Sequence, residues 1–290
     1  MFRGTYTALV TPFKNDEVDA EAFEQLIETQ IAAGINGIVP VGTTGESPTL
    51  SGGERHHVIE LAVKAARGRC QVIAGTGSNS TRDAIAHTKE AQTVGVDGAL
   101  LVAPYYNKPS QEGLFRHFEA IARETSLPLV LYNIPGRCGV DIAADTVVRL
   151  AEQCPNIVSI KEASGSVDRV SELAGRLPDA FTILSGDDSL TLPFLAVGAV
   201  GVVSVVSNLF PAEVIRVVRL FLEGRAEEAR RLHQKFFPLF KAAFIEPNPV
   251  PAKTALAWRG LMSPDVRLPL VGMSKENEER LRQTIARLES

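Results

Sequence analysis

The chain has 290 residues, 45% of them hydrophobic, with a formal net charge of −4 and an isoelectric point near 5.8. That length and apolar content suffice for one large α/β domain with an appendage, or for two ordinary domains. Basic residues are dispersed rather than gathered into a stripe, and no apolar stretch approaches the roughly 20 residues of a membrane span, so neither nucleic acid nor a membrane is an expected partner.

The opening residues, Met1-Phe2-Arg3-Gly4-Thr5, contain no apolar signal-peptide core. Cys70, Cys138 and Cys154 have neither disulfide-framework nor metal-ligand spacing and read as structural thiols of a reducing compartment, so a cytoplasmic protein is expected. Downstream, short β-rich apolar runs alternate with longer amphipathic stretches. The predicted strands are Thr5–Val10, Gly37–Val41, Cys70–Ala74, Gly98–Ala103, Leu129–Tyr132, Ile157–Ile160, Phe181–Leu184 and Val200–Val203. Predicted helices fall between them: Asp19–Ala33, Gly53–Ala66, Thr81–Val94, Gln111–Thr125, Ala143–Gln153 and Val167–Arg176. Asp19, Ser80 and Ser110 stand where N-caps belong, and Gly34 and Gly95 where helices should stop. Continuous apolar strands, each followed by a helix, imply a parallel sheet buried on both faces. Eight such units match the size of a (β/α)8 TIM barrel, an α/β fold.

After Pro211 only helices are predicted: Pro211–Glu223, which completes the barrel, then Ala226–Ala243, Val250–Leu261 and Lys275–Glu289. Pro-rich joints separate the last three. The expected division is a barrel catalytic domain over residues 1–224 and a small C-terminal helical appendage over 225–290, read as a packing or assembly element rather than a site.

A TIM barrel carries its active site at the C-terminal ends of its strands. Those ends read Gly42-Thr43-Thr44-Gly45-Glu46-Ser47, Gly75-Thr76-Gly77-Ser78-Asn79, Pro104-Tyr105-Tyr106-Asn107-Lys108-Pro109, Tyr132-Asn133-Ile134-Pro135-Gly136-Arg137, Lys161 and Ser185-Gly186-Asp187-Asp188. Lys161 ends an apolar run, and desolvation there lowers an amine's pKa so that it can attack a carbonyl as a Schiff-base former. Taken alone, the same pattern fits a lysine that snorkels to the surface. Gly42-Thr43-Thr44-Gly45 offers N–H groups and hydroxyls to a carboxylate, or is simply a tight turn. Tyr106 and Tyr132 have the hydroxyls to pass protons with Thr44, or to pack at the rim. Arg137 can hold a carboxylate through two hydrogen bonds, or form a surface ion pair. Gly75-Thr76-Gly77 lacks the spacing of a nucleotide loop. His56, His57, His87, His117 and His233 all fall in predicted helices away from the rim, so no metal site is expected.

The combination of VGTTGES (41–47), AGTGSNST (74–81), PYYNKPSQEGL (104–114), YNIPGRCG (132–139), IKEASG (160–165), SGDDSL (185–190), GVVSV (201–205) and EPNPVPAK (246–253) resembles the dihydrodipicolinate synthases. These belong to the pyruvate-dependent class I aldolase superfamily, which also includes N-acetylneuraminate lyase. The resemblance covers roughly residues 2 to 270. It implies that Lys161 forms the pyruvate Schiff base, with Tyr132 over it as proton carrier. It implies that Thr44 links Tyr132 to Tyr106 of a neighbouring subunit. It assigns Thr43 and the backbone at Thr44 to the pyruvate carboxylate, Arg137 to the carboxylate of the second substrate, and main chain at Gly186 and Val203 to the keto acid. The implied reaction joins pyruvate to L-aspartate-4-semialdehyde, giving 4-hydroxy-tetrahydrodipicolinate for diaminopimelate and lysine synthesis, without a cofactor beyond the covalent imine. The implied assembly is a homotetramer, a dimer of dimers.

Lysine inhibits many members through residues matching Pro48, Gly52, Arg55, Asn79, Asp83 and Tyr105. Asn79, Asp83 and Tyr105 suit a ligand carrying both charges. Gly52 and Arg55 replace histidines, and a cation at position 55 repels a cationic ligand, so weak or absent lysine inhibition is expected. The alternatives are a lyase of the same superfamily acting on a sialic acid, 2-keto-3-deoxygluconate or 4-hydroxy-2-oxoglutarate, and a non-catalytic keto-acid-binding relative. The Thr43-Thr44 pair and Arg137 favour the synthase over the first. The complete set of Lys161, Tyr132, Thr44 and Tyr106 disfavours the second.

Overall fold

The computed structural model describes residues 2–289. Its centre is a closed parallel barrel of eight strands: β1 (Gly4–Ala8), β2 (Gly37–Val39), β3 (Gln71–Gly75), β4 (Gly98–Val102), β5 (Leu129–Asn133), β6 (Ile157–Glu162), β7 (Thr182–Ser185) and β8 (Gly201–Ser204). They pair in sequence order, and β8 closes onto β1 through Gly4–Thr7 and Gly201–Ser204. All five residues of β5 are buried. That is why the strand reads as an unbroken apolar run: its inner face meets the barrel interior and its outer face meets helices.

The connecting helices are α1 (Ala20–Ala32), α2 (Gly52–Ala66), α3 (Thr81–Val94), α4 (Gln111–Arg123), α5 (Ala144–Gln153), α6 (Val167–Arg176), α7 (Thr191–Ala196) and α8 (Pro211–Leu222). The expected caps form. Asp19 accepts from Ala22 N, Ser80 from Asp83 N and Ser110 from Gly113 N. Gly95 ends α3 in the left-handed conformation. Ser51 and Glu54 add a reciprocal capping box at the start of α2.

The differences from expectation are local. Val10 and Val41 lie beyond β1 and β2, because the chain has already turned into the loops above the barrel. A hairpin of Phe13–Lys14 and Glu17–Val18 precedes α1. A single helical turn at Pro135–Cys138 and the short α7 were too brief to show periodicity.

Beyond the barrel lie α9 (Ala226–Ala242), α10 (Val250–Trp258) and α11 (Lys275–Glu289). Leu281 and Ile285 of α11 and Ala252, Ala255 and Leu256 of α10 join the same buried cluster as the barrel strands. Asn248-Pro249 and Leu268-Pro269, in the joints flanking α10, are cis peptides. None of the described helices is long and apolar enough to cross a membrane.

Candidate active site

Backbone register makes the first contact of the site. Tyr132 on β5 pairs with Lys161 on β6, and Lys161 pairs with Leu184 on β7. Lys161 Nζ lies 4.1 Å from the centroid of the Tyr132 ring. Both side chains are buried, with Lys161 only 6% exposed. Burial therefore pulls the ammonium down to about 7. Asp188 pushes it partly back up, and Arg137 lowers it further. Burial also drives the Tyr132 phenol up to about 12, and nearby Arg137 and Thr43 offset part of the rise. The pair thus combines an amine that is readily neutral with a phenol that keeps its proton.

The backbone beside the lysine has to be bare. A Cβ on Gly186 would meet Ala163 Cβ at 2.7 Å and Lys161 Cγ and Cε at 3.1 Å. Glycine at this position therefore gives the lysine stem its channel, and Gly186 N donates to Glu162 O at 2.7 Å. Val203, the penultimate residue of β8, is buried and pairs with Tyr6 of β1.

Two buried carboxylates brace this seam, Glu162 at the end of β6 and Asp188 in the turn after β7. Glu162 accepts from Arg169 Nε at 2.8 Å, Ser164 N at 2.8 Å and Asn133 Nδ2 at 3.1 Å. Asp188 accepts from the Ser204 hydroxyl, from Val205 N at 3.0 Å and from Val206 N at 3.2 Å. It ties the loop after β7 to the end of β8. Burial raises the Asp188 carboxyl to about 6, and those three donors pull it back down.

The loop after β2 carries Thr43 and Thr44. Val41, a buried β-branched residue, holds a left-handed φ of 57°, and Glu46 one of 54°. Such backbone is costly and persists only where its surroundings enforce it. Gly75 lies so close that a Cβ there would be 2.2 Å from Val41 O. Thr11 Oγ1 donates to Gly45 O at 2.8 Å. From the C-terminal segment, Asn248 Nδ2 donates to Thr44 Oγ1 at 2.9 Å. Lys253 Nζ reaches Glu46 Oε1 at 2.7 Å, with both side chains essentially inaccessible. The other oxygen of Glu46 accepts from Arg267 N at 3.0 Å.

The structure brings Lys161, Tyr132, Gly186 and the Thr43 side chain together. Thr44 is buried nearby, and its hydroxyl is hydrogen-bonded to Asn248. Arg137, on the turn Pro135–Cys138, is exposed, and its charge is felt at both Lys161 and Tyr132. Tyr106 is different: it is 89% exposed with φ of 73° and stands outside the site of its own chain.

A cavity of about 440 Å³ lies over the rim, lined among others by Thr43, Arg137, Pro48, Gly52, Arg55 and Tyr105. Neither Asn79 nor Asp83 lines it. Asn79 O accepts from Asn107 Nδ2 at 2.9 Å, and Asp83 sits in the first turn of α3 beside Arg82. Arg55 is half-buried, donates to Gly75 O at 3.1 Å, and has its pKa lowered by that partial burial. Among the described residues no three His, Cys, Asp or Glu side chains gather as a metal site.

Sequence reasoning did not identify Asn248, Lys253, Glu46, Asp188 or Glu162. One signal was available for Lys253: it is the only charged residue in the mostly apolar stretch Val250–Trp258, and such a residue is rarely buried unpaired.

Known proteins match the chain along nearly its whole length. Residues 1–288 match the dihydrodipicolinate synthetase family. A 4-hydroxy-tetrahydrodipicolinate synthase of Endomicrobium trichonymphae is 51% identical over 285 residues, covering 98% of both chains. The structure of the 4-hydroxy-tetrahydrodipicolinate synthase of Methylacidiphilum fumariolicum SolV superposes with a TM-score of 0.99 at 61% identity, covering 100% of this chain and 96% of that one. The lysine-bound enzyme of Cyanidioschyzon merolae superposes at 0.97 with 44% identity, covering 99% and 98%.

Proposed function

The chain belongs to the dihydrodipicolinate synthetase family, and from that membership we propose that Lys161 carries its chemistry as a Schiff base with pyruvate. The reaction is the condensation of pyruvate with L-aspartate-4-semialdehyde to 4-hydroxy-tetrahydrodipicolinate, a lyase-class step of diaminopimelate and lysine synthesis. The observation that carries the lysine's role is its burial under Tyr132 with a pKa near 7. Near neutral pH a large fraction of the amine is free to attack the keto carbon.

In the proposed sequence, neutral Lys161 adds to the pyruvate carbonyl and water leaves as the imine forms. The protonated imine draws electrons from the neighbouring C–H bond, so a methyl proton departs and an enamine results. The enamine carbon bonds to the aldehyde carbon of the semialdehyde, whose oxygen takes a proton. The amine of the adduct then displaces Lys161 as the ring closes. Tyr132, Thr44 and Tyr106 pass these protons, with Tyr106 supplied by a second copy of the chain. Its outward position in a single chain supports that reading.

Thr43 and the backbone at Thr44 hold the pyruvate carboxylate, Arg137 the carboxylate of the semialdehyde, and main chain at Gly186 and Val203 faces the keto acid. The imine is itself the electron sink, so the scheme uses no metal. We assign the enzyme to the cytoplasm, as a homotetramer in which each site borrows its Tyr106. Barrel residues 1–224 supply the proposed catalytic and substrate contacts, and 225–290 form the helical appendage.

The test couples product formation from both substrates to dihydrodipicolinate reductase and follows loss of NADPH absorbance. Turnover of about 1–10³ per second is expected. Borohydride added with pyruvate should fix one reduced pyruvyl group on Lys161, read by mass. Lys161→Ala should lose both. Wild-type turnover in that variant, or no mass change in the parent protein, would overturn the reading.

A further inference from the structure

We propose that Asn248 is a positioning residue that sets the direction in which the Thr44 hydroxyl offers its proton. The proposal rests on the Schiff-base reading above and extends it to the C-terminal segment. Asn248 Nδ2 donates to Thr44 Oγ1 at 2.9 Å, and the two residues are 6% and 3% exposed. An amide nitrogen can only donate, whereas a hydroxyl has one proton and two lone pairs. Once Asn248 fills one lone pair, Thr44 keeps one lone pair to accept a proton and one proton to give. A hydroxyl that relays protons between two phenols needs both. If the carboxamide were turned round, its oxygen would take the Thr44 proton and leave the relay with no donor. Asn248 Oδ1 has no hydrogen-bond partner among the described residues, so the Thr44 hydroxyl is the amide's one side-chain partner there.

Asn248 is held where it can do this. It lies between Pro247 and Pro249 at the head of α10. Val250 N bonds to Pro247 O at 3.0 Å, and Lys253 N to Pro249 O at 3.0 Å. One turn further on, Lys253 grips Glu46, two residues after Thr44. Glu246 anchors the other side through Ser274 N at 3.0 Å and Asn277 Nδ2 at 2.8 Å. Segment 246–253 therefore meets the loop after β2 at two points, and only Asn248 touches a hydroxyl assigned to proton transfer.

The decisive variant is Asn248→Asp in the full-length enzyme. Its carboxylate can only accept and so takes the Thr44 proton. Protonated at lower pH, it can donate again. The expected result at pH 8 is a kcat about 10²-fold below the parent, with the pyruvate KM changed less than about 3-fold. Taken as a ratio to the parent, which cancels the Lys161 limb, this deficit should shrink as pH falls. Asn248→Ala, which removes the donor without seizing the proton, should lose about 10-fold at every pH. In a Thr44→Val background, Asn248→Asp should cost nothing further, because its route to the chemistry is gone.

Pyruvate and borohydride should label Lys161 in all of these proteins, which shows that the site is folded. A kcat for Asn248→Asp within about 3-fold of the parent would overturn the proposal. So would a deficit independent of pH, or one that adds fully to Thr44→Val. Failure of the parent enzyme to form the adduct would instead overturn the Schiff-base reading.

Discussion

The two sides of the active site are held by different physics. On one side Tyr132 and Lys161 are neighbours in a backbone ladder, partnered residue for residue from Leu131 and Ile160 to Asn133 and Glu162. On the other, Thr44 and Glu46 are held by side chains more than 200 positions away, Asn248 and Lys253. The ladder spreads its stabilisation over many hydrogen bonds of about 1 kcal/mol net each. The clamp concentrates it in a single inaccessible ion pair. A distributed support tolerates substitution at any one side chain, whereas a concentrated one does not.

Breaking the clamp should give the largest change in stability. Lys253→Met leaves the Glu46 carboxylate buried with only Arg267 N for company. Removing one partner of a buried pair typically costs about 3–5 kcal/mol. Urea unfolding should therefore show a midpoint well below the parent, and Glu46→Gln added to Lys253→Met should recover part of the loss. A single variant as stable as the parent would mean that the clamp is dispensable.

On the ladder side, Tyr132→Phe should separate chemistry from stability. The phenol hydroxyl goes but the ring over Lys161 stays, so the fold keeps its packing. The expectation is a kcat lower by about 10²-fold, or about 2.7 kcal/mol in the barrier, with unfolding changed by about 1 kcal/mol or less. Equal losses in both would make Tyr132 a packing residue.

The same contrast decides what could be read from sequence. The eight strands, the N-caps at Asp19, Ser80 and Ser110, and the rim positions of Tyr132 and Lys161 all follow from local apolar runs and turn chemistry. The fold was legible because a parallel barrel repeats one local pattern. Asn248, Lys253 and Glu46 follow no period, and their roles depend on a tertiary approach that spacing does not encode. The C-terminal segment was accordingly read as a packing or assembly element, and in the structure it places an amide on Thr44 and an ammonium on Glu46. Asp188 was passed over for a related reason: its partners, Ser204, Val205 and Val206, lie one strand away on β8 and the turn that follows it.

Two charges near Lys161 should move the acid limb of the pH–rate profile in opposite directions. Only the neutral amine attacks pyruvate, so the rate falls as pH drops through the Lys161 pKa near 7. Asp188 raises that pKa, so Asp188→Asn should lower it and shift the limb to more acid pH. Arg137 lowers it, so Arg137→Ala should shift the limb to more alkaline pH and also raise the KM for the semialdehyde. Observed rate constants for pyruvate-adduct formation against pH would check both. Shifts of the same sign would show that neither charge reaches the amine as argued.

The smallest expected effect lies at the cavity over the rim. Arg55 lines it together with Gly52 and Tyr105, half-buried and bonded to Gly75 O. A lysine ligand entering here would place its ammonium near a half-buried guanidinium of the same charge. Half-inhibition by lysine should therefore need more than about 1 mM, and Arg55→Gln should lower that concentration by removing the repelling charge. Inhibition in the low hundreds of micromolar by the parent enzyme would mean that Asp83 and Tyr105 outweigh Arg55. Asp83 does not line the cavity in a single chain, so that result would place the lysine site across a subunit contact rather than within one rim.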